Sequence, residues 1–259
     1  MLKPRKPLRG LPKKVKKPNA FSPSKTLWPM RINKYLAQQE KVTTRTAADE
    51  LIDKGLIFIN GIKARLGDKV EKTDVITISP KAKLKKYTYL AYHKPIGIAT
   101  HSSNDKEKDI ADTLKLDQDI FPVGRLDKDS SGLIILTNDG RITDALLNPN
   151  KNHEKEYVVT VNKTVTEEMV RKMAGGIRIE GYMTKKALVR KTGDKEITII
   201  LTEGKKHQIR RMVVACGYEV VRLIRTRIMN IELTGIEKGT YRNIETDELQ
   251  TFLQKLNLI

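Results

Sequence analysis

Cysteine occurs once in the chain, at Cys216. A single thiol excludes any intramolecular disulfide and removes cysteine-rich zinc sites. The four histidines, His93, His101, His153 and His207, are scattered and form no His-x-x-x-His pair, so the sequence suggests no metal site. No apolar run approaches the ~18 residues of a membrane-spanning helix, and the N-terminus lacks the apolar stretch of a secretory signal. These absences lead to the expectation of a cytoplasmic, reducing setting with no membrane partner. Also missing are a Gly-x-Ser-x-Gly elbow, a Walker loop and a dinucleotide fingerprint. An enzyme built from this chain is therefore expected to use a carboxylate and no cofactor.

Negative charge is scarce too. Lys and Arg number 50 against 31 Asp and Glu, a formal charge of +19 on 259 residues. Such an excess says little about fold and more about partners: nucleic acid first, an anionic membrane surface second. At 39% hydrophobic residues the chain can bury a real core, in one large domain or a medium domain with a small partner. The charge is uneven. Residues 1–29 hold nine Lys or Arg, six of the ten prolines and no acid. Proline at this density blocks helix and sheet while like charges repel, which predicts a disordered basic arm. It is either a solubilising tail or a non-specific grip on phosphates; the prolines argue against an amphipathic transit peptide.

Regular structure is predicted from Met30. "RINKYLAQ" and "TTRTAADELIDKG" have helical apolar spacing, the second through Ala48, Leu51 and Ile52 with Gly55 as its stop. "LIFINGIKA" gives a strand, an Asn60-Gly61 turn and a return, and "GDKVEKTDVITIS" adds another strand. The result is a unit over 30–79 with Arg31, Lys34, Arg45 and Lys63 outward. A basic linker follows at 80–86, then a strand-rich domain over 87–259. "YTYLAYH", "LIILT", "EYVVTV", "EITIIL", "YEVVRLI" and "RIMNIEL" read as strands. Helices are predicted after the Thr166 cap, over "HQIRRMVVACG" with Ile209, Met212 and Val213 inward, and at the C-terminus with Leu249, Phe252, Leu253 and Leu256 inward. Many strands with few, non-alternating helices predict an α+β fold with a mostly antiparallel central sheet.

One segment stands out: "GRLDKDSSGLIILTNDG", residues 124–140. "RLDKDSSG" is a polar loop and "LIILT" a strand buried on both faces, so Asp127 sits at the edge of a rigid core. By local sequence it is either a turn-forming aspartate or, with Arg125 close by, an ionised carboxylate suited to act as nucleophile or base.

This segment resembles the catalytic motif of the bacterial ribosomal RNA pseudouridine synthases, in the branch that contains the RsuA, RluB, RluE and RluF enzymes. "HKPIGI" (93–98), "HEKEYVVTV" (153–161) and "EGKKHQIRRM" (203–212) resemble the family's other motifs, and residues 30–79 resemble its N-terminal S4 RNA-binding domain. "HEKEYVVTV", "TKK" and "RTRIMN" lean towards the RluF type, although Lys206-His207 stands where an Asn-Arg pair is common. The resemblance implies isomerisation of a uridine, in large-subunit ribosomal RNA first, with small-subunit or transfer RNA as alternatives. It implies a cofactor-free reaction by a monomer. It implies Asp127 as nucleophile, Tyr157 as the ring that stacks on the flipped base, and Arg210 as the cation paired with Asp127. Arg125, His207, Gln208 and Lys94 would bind substrate at the site, and Arg31, Lys34 and Arg45 would bind RNA from the S4-like unit. Without the resemblance, Tyr157 is equally a half-buried strand tyrosine and Arg210-Arg211 the polar face of a helix. The competing readings are a non-catalytic S4-type RNA-binding or ribosome-assembly protein, and a basic protein with loose nucleic-acid or membrane affinity.

If the arm grips phosphates, deleting residues 1–29 will flatten the salt dependence of RNA binding. The log–log slope falls by about 0.7–0.9 for each lost contact. An unchanged slope, measured by titration at several salt concentrations, would leave the arm as a solubilising tail.

Overall fold

A computed structural model of the protein describes residues 28–39, 45–82, 87–101, 108–114, 116 and 119–259. The expected basic arm, but for its last two residues, and residues 83–86 of the expected linker lie outside the described residues.

The first elements form a small body. Helices Ile32–Gln39 and Arg45–Asp53 pack on a three-stranded sheet ordered Ile62–Lys63, Ile57–Ile59, Ile76–Ile78. Its core joins Ile32 and Leu36 of the first helix, Ala48, Leu51 and Ile52 of the second, and Ile57 of the sheet. The Asn60-Gly61 turn forms as the sequence predicts, with both residues at positive φ (50° and 82°), the hand that matches strand twist in a tight hairpin. Gly55, at φ 66°, ends the second helix.

The larger body is built on a nine-stranded sheet. Its main path runs Leu188–Gly193, Glu196–Leu201, Lys155–Val161, Val220–Ile228, Ser131–Thr137, Tyr89–Lys94, Tyr241–Asn243. Every pairing on this path is antiparallel except one, between Val220–Ile228 and Ser131–Thr137. All seven residues of Ser131–Thr137 are buried. Leu133 and Ile135 face a core shared with Phe252 and Leu253 of the C-terminal helix, and Ile134 and Leu136 face a second core with Tyr92 and Ile110. Two buried faces explain why this stretch reads as a continuous apolar run.

The predicted break between "YEVVRLI" and "RIMNIEL" is not there. Val220–Ile228 is one strand, and only Ile231–Glu232 is separate. The strand Leu188–Gly193 was not predicted, because its edge position leaves "LVRKTG" mostly exposed and polar. The Thr166 cap forms, its hydroxyl accepting from Met169 N at 3.2 Å. Among the described residues no helix is long and apolar enough to cross a membrane.

The strand Ser131–Thr137 is pinned at both ends. Beyond its C-terminal end, the fully buried Asp139 takes Arg141 Nε at 2.9 Å, Arg141 Nη2 at 2.7 Å and Tyr89 Oη at 2.7 Å. At its N-terminal end it meets the parallel partner, with Gly132 opposite Arg225. Gly132 has φ 118°, and a Cβ there would overlap the backbone N, C and O of Arg225. Only glycine lets the two strands approach this closely. Gly132→Ala is therefore expected to destabilise the protein by about 3 kcal/mol, read as a lower urea midpoint at unchanged slope. An unshifted midpoint would mean that the seam can open at no cost.

Candidate active site

Asp127 lies on the loop that enters the strand Ser131–Thr137 at the parallel seam. Five successive carbonyls of this loop are each held by a different donor. Arg125 O accepts from Arg225 Nη1 (3.3 Å), Leu126 O from Thr100 Oγ1 (2.7 Å), Asp127 O from Ser130 N (3.0 Å), Lys128 O from Gly97 N (2.9 Å) and Asp129 O from Arg210 Nη2 (2.7 Å). Thr100 Oγ1 also accepts from Leu126 N at 3.0 Å. With its backbone fixed, the loop presents the Asp127 carboxylate in one place, one-third exposed.

His207 stands beside this carboxylate, with Nε2 3.5 Å from Oδ1. His207 caps the helix Gln208–Ala215 in a left-handed conformation (φ 53°), a strained choice for a non-glycine residue. Arg210, one turn into that helix, does not take the position expected of it. Its Nη2 bridges Asp129 O and Ser130 Oγ (3.2 Å) and so holds the loop rather than the carboxylate. Arg125 is exposed beside the site.

Tyr157 sits in the strand Lys155–Val161, opposite Arg225 of the neighbouring strand. Its ring packs at the edge of the core that holds Val159, Leu223 and Met212. Side chains alternate along a strand, so Lys155 and Tyr157 share the face of Val159, and Arg225 shares the face of Leu223. Tyr157, Lys155 and Arg225 thus share one face of the sheet at the parallel seam, and Arg225 reaches the Asp127 loop through Arg125 O.

Two expected substrate contacts are corrected. Lys94 is wholly buried, and its Nζ donates to Pro95 O (2.9 Å) and Ile98 O (2.8 Å), organising the loop that carries Gly97 and Thr100. Burial, then the charge of Arg225, pull its ammonium down to about 8. Gln208 is also buried. It donates to Glu203 Oε1 (2.7 Å) and accepts from Lys205 N (3.0 Å), stapling the loop ahead of its own helix. Both are turned onto the protein's own groups. Conversely, the expectations for the site left out Arg225, which is 3% exposed and donates through Nε to Leu133 O at 2.6 Å. An arginine inside an apolar strand was the available signal.

In the small body Arg31 and Arg45 are exposed and Lys34 half-buried. A cleft of about 810 Å³ separates this body from the larger one, with Arg45 and Thr46 on one wall and Phe121, Thr143 and Leu147 on the other. It does not include Asp127.

The RNA pseudouridylate synthase family pattern matches residues 88–215, and the S4 domain pattern matches residues 30–76. The dual-specificity RNA pseudouridine synthase RluF of Escherichia coli is 41% identical over 224 residues, covering 85% of this chain and 77% of that protein. The ribosomal large subunit pseudouridine synthase B of Bacillus subtilis is 34% identical over 230 residues, covering 85% and 94%. A crystal structure of a pseudouridylate synthase, 30% identical, superposes with a TM-score of 0.63 over 88% of this chain and 99% of the other. With this coverage of both its parts, the chain belongs to the RNA pseudouridine synthase family, in the group that carries an S4 domain ahead of the catalytic body.

Proposed function

We propose that the protein isomerises a uridine of ribosomal RNA to pseudouridine, with the Asp127 carboxylate as the reacting group. The observation that carries this reading is the clamped loop: five held carbonyls fix the Asp127 carboxylate beside His207, in a chain of opposite net charge. The reaction cleaves the N1–C1′ bond, turns the base and rejoins it through C5. Nothing enters or leaves overall, so no cofactor is required. Asp127 acts either at C1′ or by helping to form a glycal. The site must exclude water while the base is detached. Tyr157 stacks on the flipped uracil and can serve proton transfer at C5. Arg210 acts on the loop, and His207 and Arg125 meet the nucleotide or its phosphate.

The S4-like unit, proposed as residues 30–79, docks RNA through Arg31, Lys34 and Arg45, and residues 87–259 perform the chemistry. Flipping a base costs a few kcal/mol and is cheapest in irregular RNA, which favours a structured ribosomal loop. The name of the Bacillus subtilis relative favours the large subunit. The Escherichia coli relative is described as dual-specificity, so transfer RNA belongs in the assay.

RNA tritiated at uridine C5 is expected to release tritium with wild-type protein. Asp127→Asn should lower that release at least about a thousandfold while the thermal transition stays in place. Tight RNA binding without tritium release from ribosomal or transfer RNA would instead support a non-catalytic RNA-binding protein. Arg210→Lys keeps the charge but loses the planar fork across Asp129 O and Ser130 Oγ. It should cost about a hundredfold in rate through a loosened loop, with RNA affinity unchanged. A fall in affinity instead would make Arg210 a phosphate contact.

A further inference from the structure

Lys94 and Lys155 each lie near Arg225, and none of the three has a carboxylate bonded to it among the described residues. Lys94 is fully committed to two carbonyls. Arg225 gives Nε to Leu133 O and Nη1 to Arg125 O, but its Nη2 is buried and has no hydrogen-bond partner. Lys155 makes no hydrogen bond or ion pair with any described residue, although burial and Arg225 together pull its ammonium down to about 8. A buried donor without a partner is costly, and two like charges held close together are costlier. Both point from the strand face that carries Tyr157, with Tyr157 opposite Arg225 and Lys155 two residues along. Together these donors suit an anion on the strand face of Tyr157.

We propose that Lys155 and the free Nη2 of Arg225 hold the detached uracil as an anion. The inference rests on the pseudouridine synthase reading above. When the N1–C1′ bond breaks, its electron pair stays on the base and charge spreads over N1 and O2. The C1′ carbon passes to the Asp127 carboxylate, or C2′ loses a proton to give the glycal. The two cations stabilise the uracil anion and keep it in the site until C5 forms its bond to C1′, which releases the Asp127 carboxylate or, on the glycal route, is accompanied by return of the proton to C2′. The proton lost from C5 balances the one gained at N1, and no oxidant or reductant is involved. A contact to the phosphate of the flipped nucleotide is the other use of such donors, and it has a different readout.

The test uses full-length protein and RNA labelled in the uracil ring. Lys155→Met preserves length and bulk in a half-buried strand position, and Lys155→Arg restores the charge. With Lys155→Met, pseudouridine formation should fall about a hundredfold and RNA affinity should stay within about twofold. Free uracil should appear, with water adding at C1′ to leave an abasic nucleotide. Lys155→Arg should suppress that release. Uracil release at the wild-type background in Lys155→Met would overturn the proposal, as would a loss of RNA affinity without release, which marks a phosphate contact. Failure of wild-type protein to form pseudouridine in the same RNA would overturn the underlying reading as well.

Discussion

Arg225 is the residue on which the site depends. Its backbone lies against Gly132 at the one parallel junction of the central sheet, and its guanidinium reaches under the loop to Leu133 O and Arg125 O. A buried arginine is tolerated only where its donors are used, and here two of its three nitrogens bond backbone that a loop would otherwise leave to solvent. The seam, the strand that follows it and the carboxylate in front of it are therefore positioned by one side chain. Thr100, Gly97 and Arg210 complete the hold from other directions.

This arrangement accounts for an acid in a chain that carries +19. The surplus charge has two locations with different uses. On the small body Arg31 and Arg45 stay solvated, where they attract a polyanion at long range and are screened by salt. Beneath Asp127 the cations are taken out of water, where screening is weak and their effect on a nearby charge is large. Burial, and after it the nearby charge of Arg225, lowers Lys94 and Lys155 to about 8.

Much of the fold was legible in the sequence because local chemistry and tertiary environment agree. The Asn60-Gly61 turn, the Thr166 cap and the apolar stripes of Gln208–Ala215 and the C-terminal helix all follow from short-range rules. So did the placement of Asp127 on a loop before a doubly buried strand. The differences are polar residues whose surroundings the fold sets. Arg225 interrupted an apolar pattern, so one strand read as two. Lys94 and Gln208 were expected to bind substrate; carbonyls 95 and 98 and Glu203 are near them in sequence, but only the fold turns the side chains onto these partners. His207 was expected at the site, but its place beside Asp127 comes from a left-handed cap that sequence alone does not signal.

The loop from Arg125 to Asp129 has its carbonyls matched one to one with donors from a strand, two loops and a helix. Such a loop has no slack. Adding or removing a single residue would slip every later carbonyl off its donor and turn Asp127 away from His207. Side chains along it can be exchanged one at a time, but its length cannot drift, and a functional protein of this design must keep the same spacing between Gly124 and Gly132.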